Sequence, residues 1–292
     1  MQRTGPLGLL SGYLILVATG VFVLIPIWFL LVLALDPELA SGIPNEFQAV
    51  PHDPTLDTFA AVLESPVRNL TFWGLLRNSF IVSGMAAGIA LVFGTSMAYA
   101  FARMRFPGSR VGPFGLLVGA FLPPIALAVP LFVLLGTLEN VLPAAREFGV
   151  RGSLFGLGIV YAAFSLPFCL WLMRAAFRAV PEELEEAAFA EGATRFRTFR
   201  QIDLPLAAPS ILVAALLAFL LAYSEFAIGW LFVEKGDNVT LAMALAGQEA
   251  GFYGGQWGRT AALALLAALP VVIVFLVLQR FLLRASLTTA TD

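Results

Sequence analysis

The sequence predicts an all-α integral membrane protein with six transmembrane helices, and three observations carry that reading. The 292-residue chain is 60% hydrophobic and 12% charged, with a mean hydropathy of +0.89, which leaves too little polar surface to cover a water-soluble globule. Six apolar runs are long enough to cross about 30 Å of hydrocarbon, roughly 20 helical residues each. The runs are continuous, without the alternation of apolar and polar residues that a membrane strand shows, so helices are expected and a barrel is not.

The first span, residues 12–35 (GYLILVATGVFVLIPIWFLLVLAL), is longer than the h-region of a cleaved signal peptide, about 7–15 residues, and no small-residue cleavage site follows closely. It is expected to remain as a span. The core spans are predicted at 77–102, 113–137, 154–177, 206–233 and 259–283. Pro123, Pro124 and Pro130 interrupt the third, and Ser165-Leu166-Pro167 the fourth. Each proline frees a backbone carbonyl that a neighbour must satisfy, which suits helices bent around a pathway and equally helices kinked in a packed bundle. The fifth contains Glu225 in LLAYSEFAIGWLF. A carboxyl at membrane depth is costly and marks either a bond to a neighbouring helix or a place in a translocation pathway.

Orientation follows from the basic residues flanking the spans. With the N-terminus in the cytoplasm, eleven arginines fall inside (Arg3, Arg103, Arg105, Arg110, Arg174, Arg178, Arg195, Arg197, Arg200, Arg280 and Arg284), and six basic residues outside (Arg68, Arg77, Arg146, Arg151, Lys235 and Arg259). Both termini are therefore expected in the cytoplasm. The net charge of −2 points to no acidic or basic partner in bulk and disfavours nucleic acid.

Several chemistries are excluded. Lys235, the only lysine, lies in VEKGDN, which is no Walker A loop, so ATP hydrolysis by that route is absent from this chain. The single histidine, His52 in VPHDP, has no cysteine or carboxylate cluster near it in sequence and reads as a surface residue, so no metal site is expected. Ser165 and Ser224 have no intramembrane histidine to act as base, which disfavours a hydrolase. Cys169, the only cysteine, reads as a small core or lipid-facing residue and permits no disulfide framework.

The densest charge lies between the fourth and fifth spans, in residues 181–205. Pro181 and the acidic Glu182, Glu183, Glu185 and Glu186 mark a helix N-terminus. Leu184, Ala187 and Ala188 then form a small, smooth apolar strip, and Gly192 ends the helix. Thr194 is placed to cap a second short helix carrying Arg195, Arg197, Arg200, Phe196 and Phe199, before Leu204-Pro205 opens the fifth span. Basic residues here also suit a loop held inside by anionic lipid, but lipid leaves the Ala-Ala strip ended by glycine without a purpose. A contact surface for another protein gives it one.

Glu186-Ala187-Ala188, three residues, Gly192, nine residues, then Ile202-x-Leu204-Pro205 resembles, position for position, the EAA loop of permease subunits from binding-protein-dependent ABC importers. AYAFARMRFPG from Ala98 to Gly108, the Ser224-Glu225 segment and the LQRFLLRASLT ending resemble the carbohydrate-uptake branch, and most of the chain from about residue 75 is similar to maltose-type MalG subunits. The resemblance implies the type I ABC importer permease fold, as one transmembrane permease domain over residues 1–292 in a bacterial or archaeal cytoplasmic membrane. It implies ATP-driven sugar import, of maltose, maltodextrin or a trehalose-like oligosaccharide, with no enzymatic chemistry in this chain. It implies a second, non-identical, MalF-like permease, a cytoplasmic ATPase dimer that holds the ATP and magnesium, and an extracytoplasmic sugar-binding protein. In that family the loop docks in a cleft of the ATPase, so Glu186, Ala187, Ala188 and Gly192 would form the docking surface, with Ile202, Leu204 and Pro205 leading into the span.

At its end the sequence departs from the family. In place of the Gly-Leu-Thr-x-Gly-x-x-Lys-Gly type of tail it has Ala285-Ser286-Leu287-Thr288-Thr289-Ala290-Thr291-Asp292, so tail contacts with the ATPase do not carry over. The outer loop, residues 234–258, combines glycines with interfacial aromatics and reads as flexible. In maltose-type relatives this loop enters the binding protein, which would assign that contact to Gly251, Phe252, Tyr253, Gly254, Gly255 and Trp257. The alternative reading is an ion-coupled secondary transporter with Glu225 as the proton or cation site.

Overall fold

The computed structural model describes residues 6–36, 49–67, 70–143, 146, 149–150, 152–233, 236–249 and 256–288. In chain order the helices are α1 (Pro6–Leu35), α2 (Asp57–Glu64), α3 (Phe72–Arg103), α4 (Gly112–Ala120), α5 (Pro124–Val141), α6 (Leu154–Ala179), α7 (Glu182–Ala190), α8 (Arg195–Thr198), α9 (Leu204–Ser224), α10 (Ala227–Phe232), α11 (Leu241–Glu249) and α12 (Trp257–Thr288). A π-turn, Phe199–Asp203, joins α8 to α9. No β-strand occurs among the described residues. Among the described residues, six helical stretches are long and apolar enough to cross a bilayer: α1, α3, α5, α6, α8 running into α9, and α12.

The chain divides into two compact units. The first comprises Met1–Phe72 and Leu245–Leu269. Within it α1 is exposed along most of its length, and only near its end do Val32, Leu33 and Ala34 become buried. Asp36, buried just beyond, accepts the His52 N–H at 2.9 Å, and Leu35 accepts from Thr55 at 2.9 Å, which fixes the returning segment. The His52 side chain itself is exposed, as its sequence setting predicts. Gln248 and Arg259 donate to the Pro66 and Ser65 carbonyls, at 2.8 and 2.7 Å.

The second unit comprises Trp73–Ala244 and Pro270–Asp292 and is built on α3, α6 and α9. These three helices meet through small side chains: Ala90 and Ala98 on α3, Cys169 on α6, and Ala207, Ala214 and Ala218 on α9. Small residues let helices approach closely where lipid removes the hydrophobic drive to associate. Cys169 is a core residue; its Sγ donates to the Ala214 carbonyl at 3.3 Å. At one end of the unit the rings of Tyr99, Phe177 and Phe199 pack with centroids 4.6 to 6.1 Å apart. Towards the other end a second cluster forms around Leu157, Val160, Tyr161, Ile228 and Phe232.

Two predicted spans are divided. The third, 113–137, is two helices, α4 and α5, separated by Phe121, Leu122 and Pro123. Consecutive prolines explain the break: Pro123 is extended at φ −54 and ψ 123, because the residue before a proline is driven out of the α region. The fifth, 206–233, stops at Ser224, and Glu225 is extended at ψ 133 before α10 begins. Within the outer segment 234–258, the described residues 236–249 also differ from a flexible loop. It holds a 3₁₀ turn, Gly236–Asn238, and α11. Asn78 Nδ2 donates to the carbonyls of Asp237 and Val239 at 2.6 and 2.9 Å, Ser79 Oγ accepts the Leu241 N–H at 2.8 Å, and Asn238 donates to Gly152 at 3.0 Å.

Candidate functional site

The segment between α6 and α9 folds as its residue pattern dictates. Val180 and Pro181 are extended, and α7 starts at Glu182 with three acidic residues in its first turn, where the exposed N–H groups favour negative charge. It ends in a Schellman motif. Gly192 adopts φ +83, its N–H bonds Phe189 O at 3.0 Å, and the Ala193 N–H reaches back to Ala188 O at 2.9 Å. An ideal Cβ on Gly192 would meet no atom within 4 Å, so glycine is required here by backbone conformation and not by space. Thr194 caps α8 by accepting the Arg197 N–H at 3.3 Å.

The two helices have an open side and a buried side. On the open side Leu184, Glu186, Ala187, Phe189, Gly192 and Phe196 are exposed, and the Arg195 guanidinium lies 5.9 Å from the centre of the Phe189 ring. Ala188 is half-buried and lines a small polar cavity with Glu191, Arg197 and Gln201. Ile202 is also half-buried, Leu204 packs against the α3–α6–α9 core, and Pro205 sits exposed in the first turn of α9.

The buried side is charged. Arg103, the last residue of α3, has a side chain only 5% exposed that meets the start of α7. Its Nε lies 2.6 Å from Glu185 Oε1, its Nη1 donates to the exposed Glu182 at 3.3 Å, and its Nη2 donates to the Val180 carbonyl. Beside Glu185 lies Asp203, the last residue of the π-turn, which is fully buried. One guanidinium thus ties the end of α3 to the end of α6 and to α7, and two carboxyl groups meet behind it.

The second carboxyl site is Glu225. Its Oε1 accepts the Ile228 N–H at 3.0 Å and its Oε2 the Gly229 N–H at 3.4 Å, so the carboxylate caps α10 from the break in the span. The buried Tyr161 donates to the Glu225 carbonyl at 3.3 Å. A cavity of about 130 Å³ opens beside it, lined by Tyr161, Phe164, Ser165, Phe168 and Leu221 as well as Glu225. Trp257, the first residue of α12, is exposed, and Gly251, Phe252, Tyr253, Gly254 and Gly255 lie outside the described residues.

Residues 90–286 match the model of the family described as "binding-protein-dependent transport system inner membrane component". The chain belongs to this family. It is 30% identical over 257 residues to the diacetylchitobiose uptake system permease protein DasC of Streptomyces coelicolor, covering 87% of each chain. It is also 30% identical over 258 residues to the trehalose/maltose transport system permease protein MalG of Thermococcus litoralis, covering 88% of this chain and 86% of that one. The permease superimposes on a chain of a bacterial ABC transporter involved in the import of the acidic polysaccharide alginate with a TM-score of 0.72, at 21% identity, over 96% of this chain and 99% of the other. That last likeness shows a shared ABC importer permease fold.

In this permease the structure brings Glu186, Ala187 and Gly192 together on one open surface, with Ala188 at its edge. It separates them from Glu225. What sequence reasoning missed is the charge underneath. Arg103 read as a basic residue flanking a span, Glu185 as one of several first-turn acids, and Asp203 as the free position between Ile202 and Leu204. The available signal was Asp203 itself, an acid set directly against the apolar start of α9.

Proposed function

We propose that this permease is the MalG-like half of an ATP-driven oligosaccharide importer in a bacterial or archaeal cytoplasmic membrane, with both termini in the cytoplasm, and that the α7–α8 loop couples it to an ATPase dimer. The observation that carries this reading is the EAA-spaced loop folded as helix, Schellman turn and helix, with Glu186, Ala187 and Gly192 on an open face. Exposed Leu184, Phe189 and Phe196 on the same loop supply apolar surface that a protein cleft would cover. ATP and magnesium would be held by the ATPase, whose closure would push α7 against the bases of α3 and α9.

The relatives named for diacetylchitobiose and for trehalose and maltose support a neutral di- or oligosaccharide as the cargo. A second, non-identical permease would complete the pathway, and an extracytoplasmic sugar-binding protein would deliver the sugar. The segment from Gly251 to Trp257 would touch that protein. Glu225 and its cavity would line the pathway at the break in the fifth span. The ion-coupled alternative draws no support from the family, and the Glu225 carboxylate is engaged by two backbone amides.

The test is gentle extraction of the tagged protein from its own membrane, identification of every co-purifying chain, and assay of ATP hydrolysis with binding protein and sugar. A second permease and an ATPase dimer are expected, with hydrolysis stimulated by sugar-loaded binding protein. Gly192→Asp is expected to leave the protein inserted while separating ATP use from transport. Recovery of the chain alone under several mild detergents, or full coupling in Gly192→Asp, would overturn the proposal.

A further inference from the structure

Arg103, Glu185 and Asp203 form a buried group with an uneven charge. Arg103 supplies one positive charge, and Glu185 and Asp203 would supply two negative ones if both were ionised. Helix α3 contributes Tyr99, whose hydroxyl is buried without a hydrogen-bond partner, and α7 contributes Glu182, which is exposed. Helix α8 contributes Arg195, which is exposed. The residue after α6 contributes the Val180 carbonyl, while Arg174 on α6 is turned to the carbonyl of Phe101 at 3.2 Å. Among the described residues Arg103 is the cation paired with Glu185, and it also meets Glu182 and the Val180 carbonyl.

Asp203 lies in the field of the same guanidinium, already engaged by Glu185, and makes no ion pair among the described residues. Drawn as a carboxylate, neither of its oxygens meets a donor in good geometry, and its side-chain hydrogen-bond neighbour is the carboxyl group of Glu185. Two carboxylates in such contact repel, and burial forbids water from separating them. One proton resolves both faults: it makes a carboxyl–carboxylate hydrogen bond and brings the group to neutrality with Arg103.

We propose that Glu185 and Asp203 share a single proton, and that this bond is the joint fastening the coupling helix α7 to the π-turn at the base of α9. Asp203 is then a positioning residue for coupling. It does not touch the ATPase or the sugar. While the proton is present, α7 and the start of α9 move together, so a push on the open face of α7 reaches the membrane helix. When the proton leaves, the two carboxylates repel and α7 is held by Arg103 alone. This inference rests on the coupling role of the loop proposed above.

The experiment uses the whole complex, both permeases with the ATPase dimer and the binding protein, in proteoliposomes whose pH on the ATPase side is set. Sugar carried per ATP hydrolysed is measured with trehalose, maltose and diacetylchitobiose as probes. In the wild type this ratio is expected to fall several-fold with rising pH, over the span of about two pH units that one proton takes to titrate. Asp203→Asn keeps the shape and supplies a permanent N–H donor to Glu185, so its ratio is expected to stay at the low-pH value throughout. Asp203→Ala is expected to give the low ratio at every pH. An infrared difference spectrum between the wild type and Asp203→Asn is expected to show a protonated-carboxyl band in the wild type only.

A wild-type ratio that does not change with pH, an Asp203→Asn profile parallel to the wild type, or absence of that infrared band would each overturn the shared proton. The Gly192→Asp complex separates this failure from failure of the coupling loop. If it is uncoupled while Asp203→Asn tracks the wild type, the joint alone falls. If it is fully coupled, the role of the loop falls and the joint with it.

Discussion

The base of α9 and the break after it both hold acidic side chains, and they satisfy them by opposite means. At the base, Glu185 and Asp203 come from different elements and meet a single guanidinium from a third, Arg103 on α3, so the group ties α3, α7 and the π-turn together. At the break, Glu225 is satisfied locally, by amides three and four residues further on, and ties its own helix end. A charge answered from a distant element is a mechanical link, whereas one answered by its own backbone leaves its free lone pairs to a cavity. Under the proposed function, the first site would transmit force and the second would meet the cargo.

The strongest way to break the contrast is Arg103→Ala. It would leave Glu185 buried without its counter-charge, a change worth about 3–5 kcal/mol where one partner of a buried pair is removed. The expected outcome is a large drop in the thermal midpoint of the purified complex and no sugar uptake. A near-wild-type midpoint would mean that the Arg103–Glu185 contact fastens nothing.

At the break, Gly229→Ala comes next. Its Cβ would stand 2.8 Å from Met243 Sδ and 2.9 Å from the Tyr161 hydroxyl, so Met243 must shift and so must Tyr161, which donates to the Glu225 carbonyl. Overpacking of this kind costs about 1–3 kcal/mol. Thermal unfolding in detergent should show that loss, and transport should fall while ATPase assembly persists, because the damage lies far from α7 in sequence and in a different cluster of the core.

Gly192→Ala should cost somewhat less, about 1–2 kcal/mol, since the strain is confined to one L-residue held in the left-handed region and the new methyl meets nothing. Gly192→Asn, which tolerates that conformation, should recover most of the loss. Equal effects of Ala and Asn in the same unfolding assay would show that the Schellman turn is not what sets this position.

These sites differed in how far the sequence disclosed them. The α7 turn was legible because its determinants are local: acids in a first turn, a glycine at C′ and a threonine cap lie within fourteen consecutive residues, 181–194. Six spans were legible from length and hydropathy alone. The Arg103–Glu185–Asp203 group was not, because its members are 82 and 18 residues apart (185 − 103 and 203 − 185) and only packing of α3 against the loop brings them together. The break at Glu225 was hidden for another reason. LLAYSEFAIGWLF contains no proline or terminal glycine to mark an end, and the carboxylate that read as an intrusion in a continuous helix is the cap of a new one.

Glu225→Gln is the smallest of these changes and the most informative about that break. The amide keeps one oxygen to accept a backbone N–H and loses the second acceptor, so the cap should weaken by no more than about 1 kcal/mol. If capping is all that Glu225 does, the thermal midpoint will fall slightly and uptake will follow it in proportion. If its free lone pairs meet the cargo in the cavity, the concentration of sugar-loaded binding protein needed for half-maximal transport, or the preference among trehalose, maltose and diacetylchitobiose, will change with the midpoint held constant. Stability and transport moving together would return Glu225 to a purely structural place, and the contrast between a linking carboxylate and a cargo-facing one would then fail at its second half.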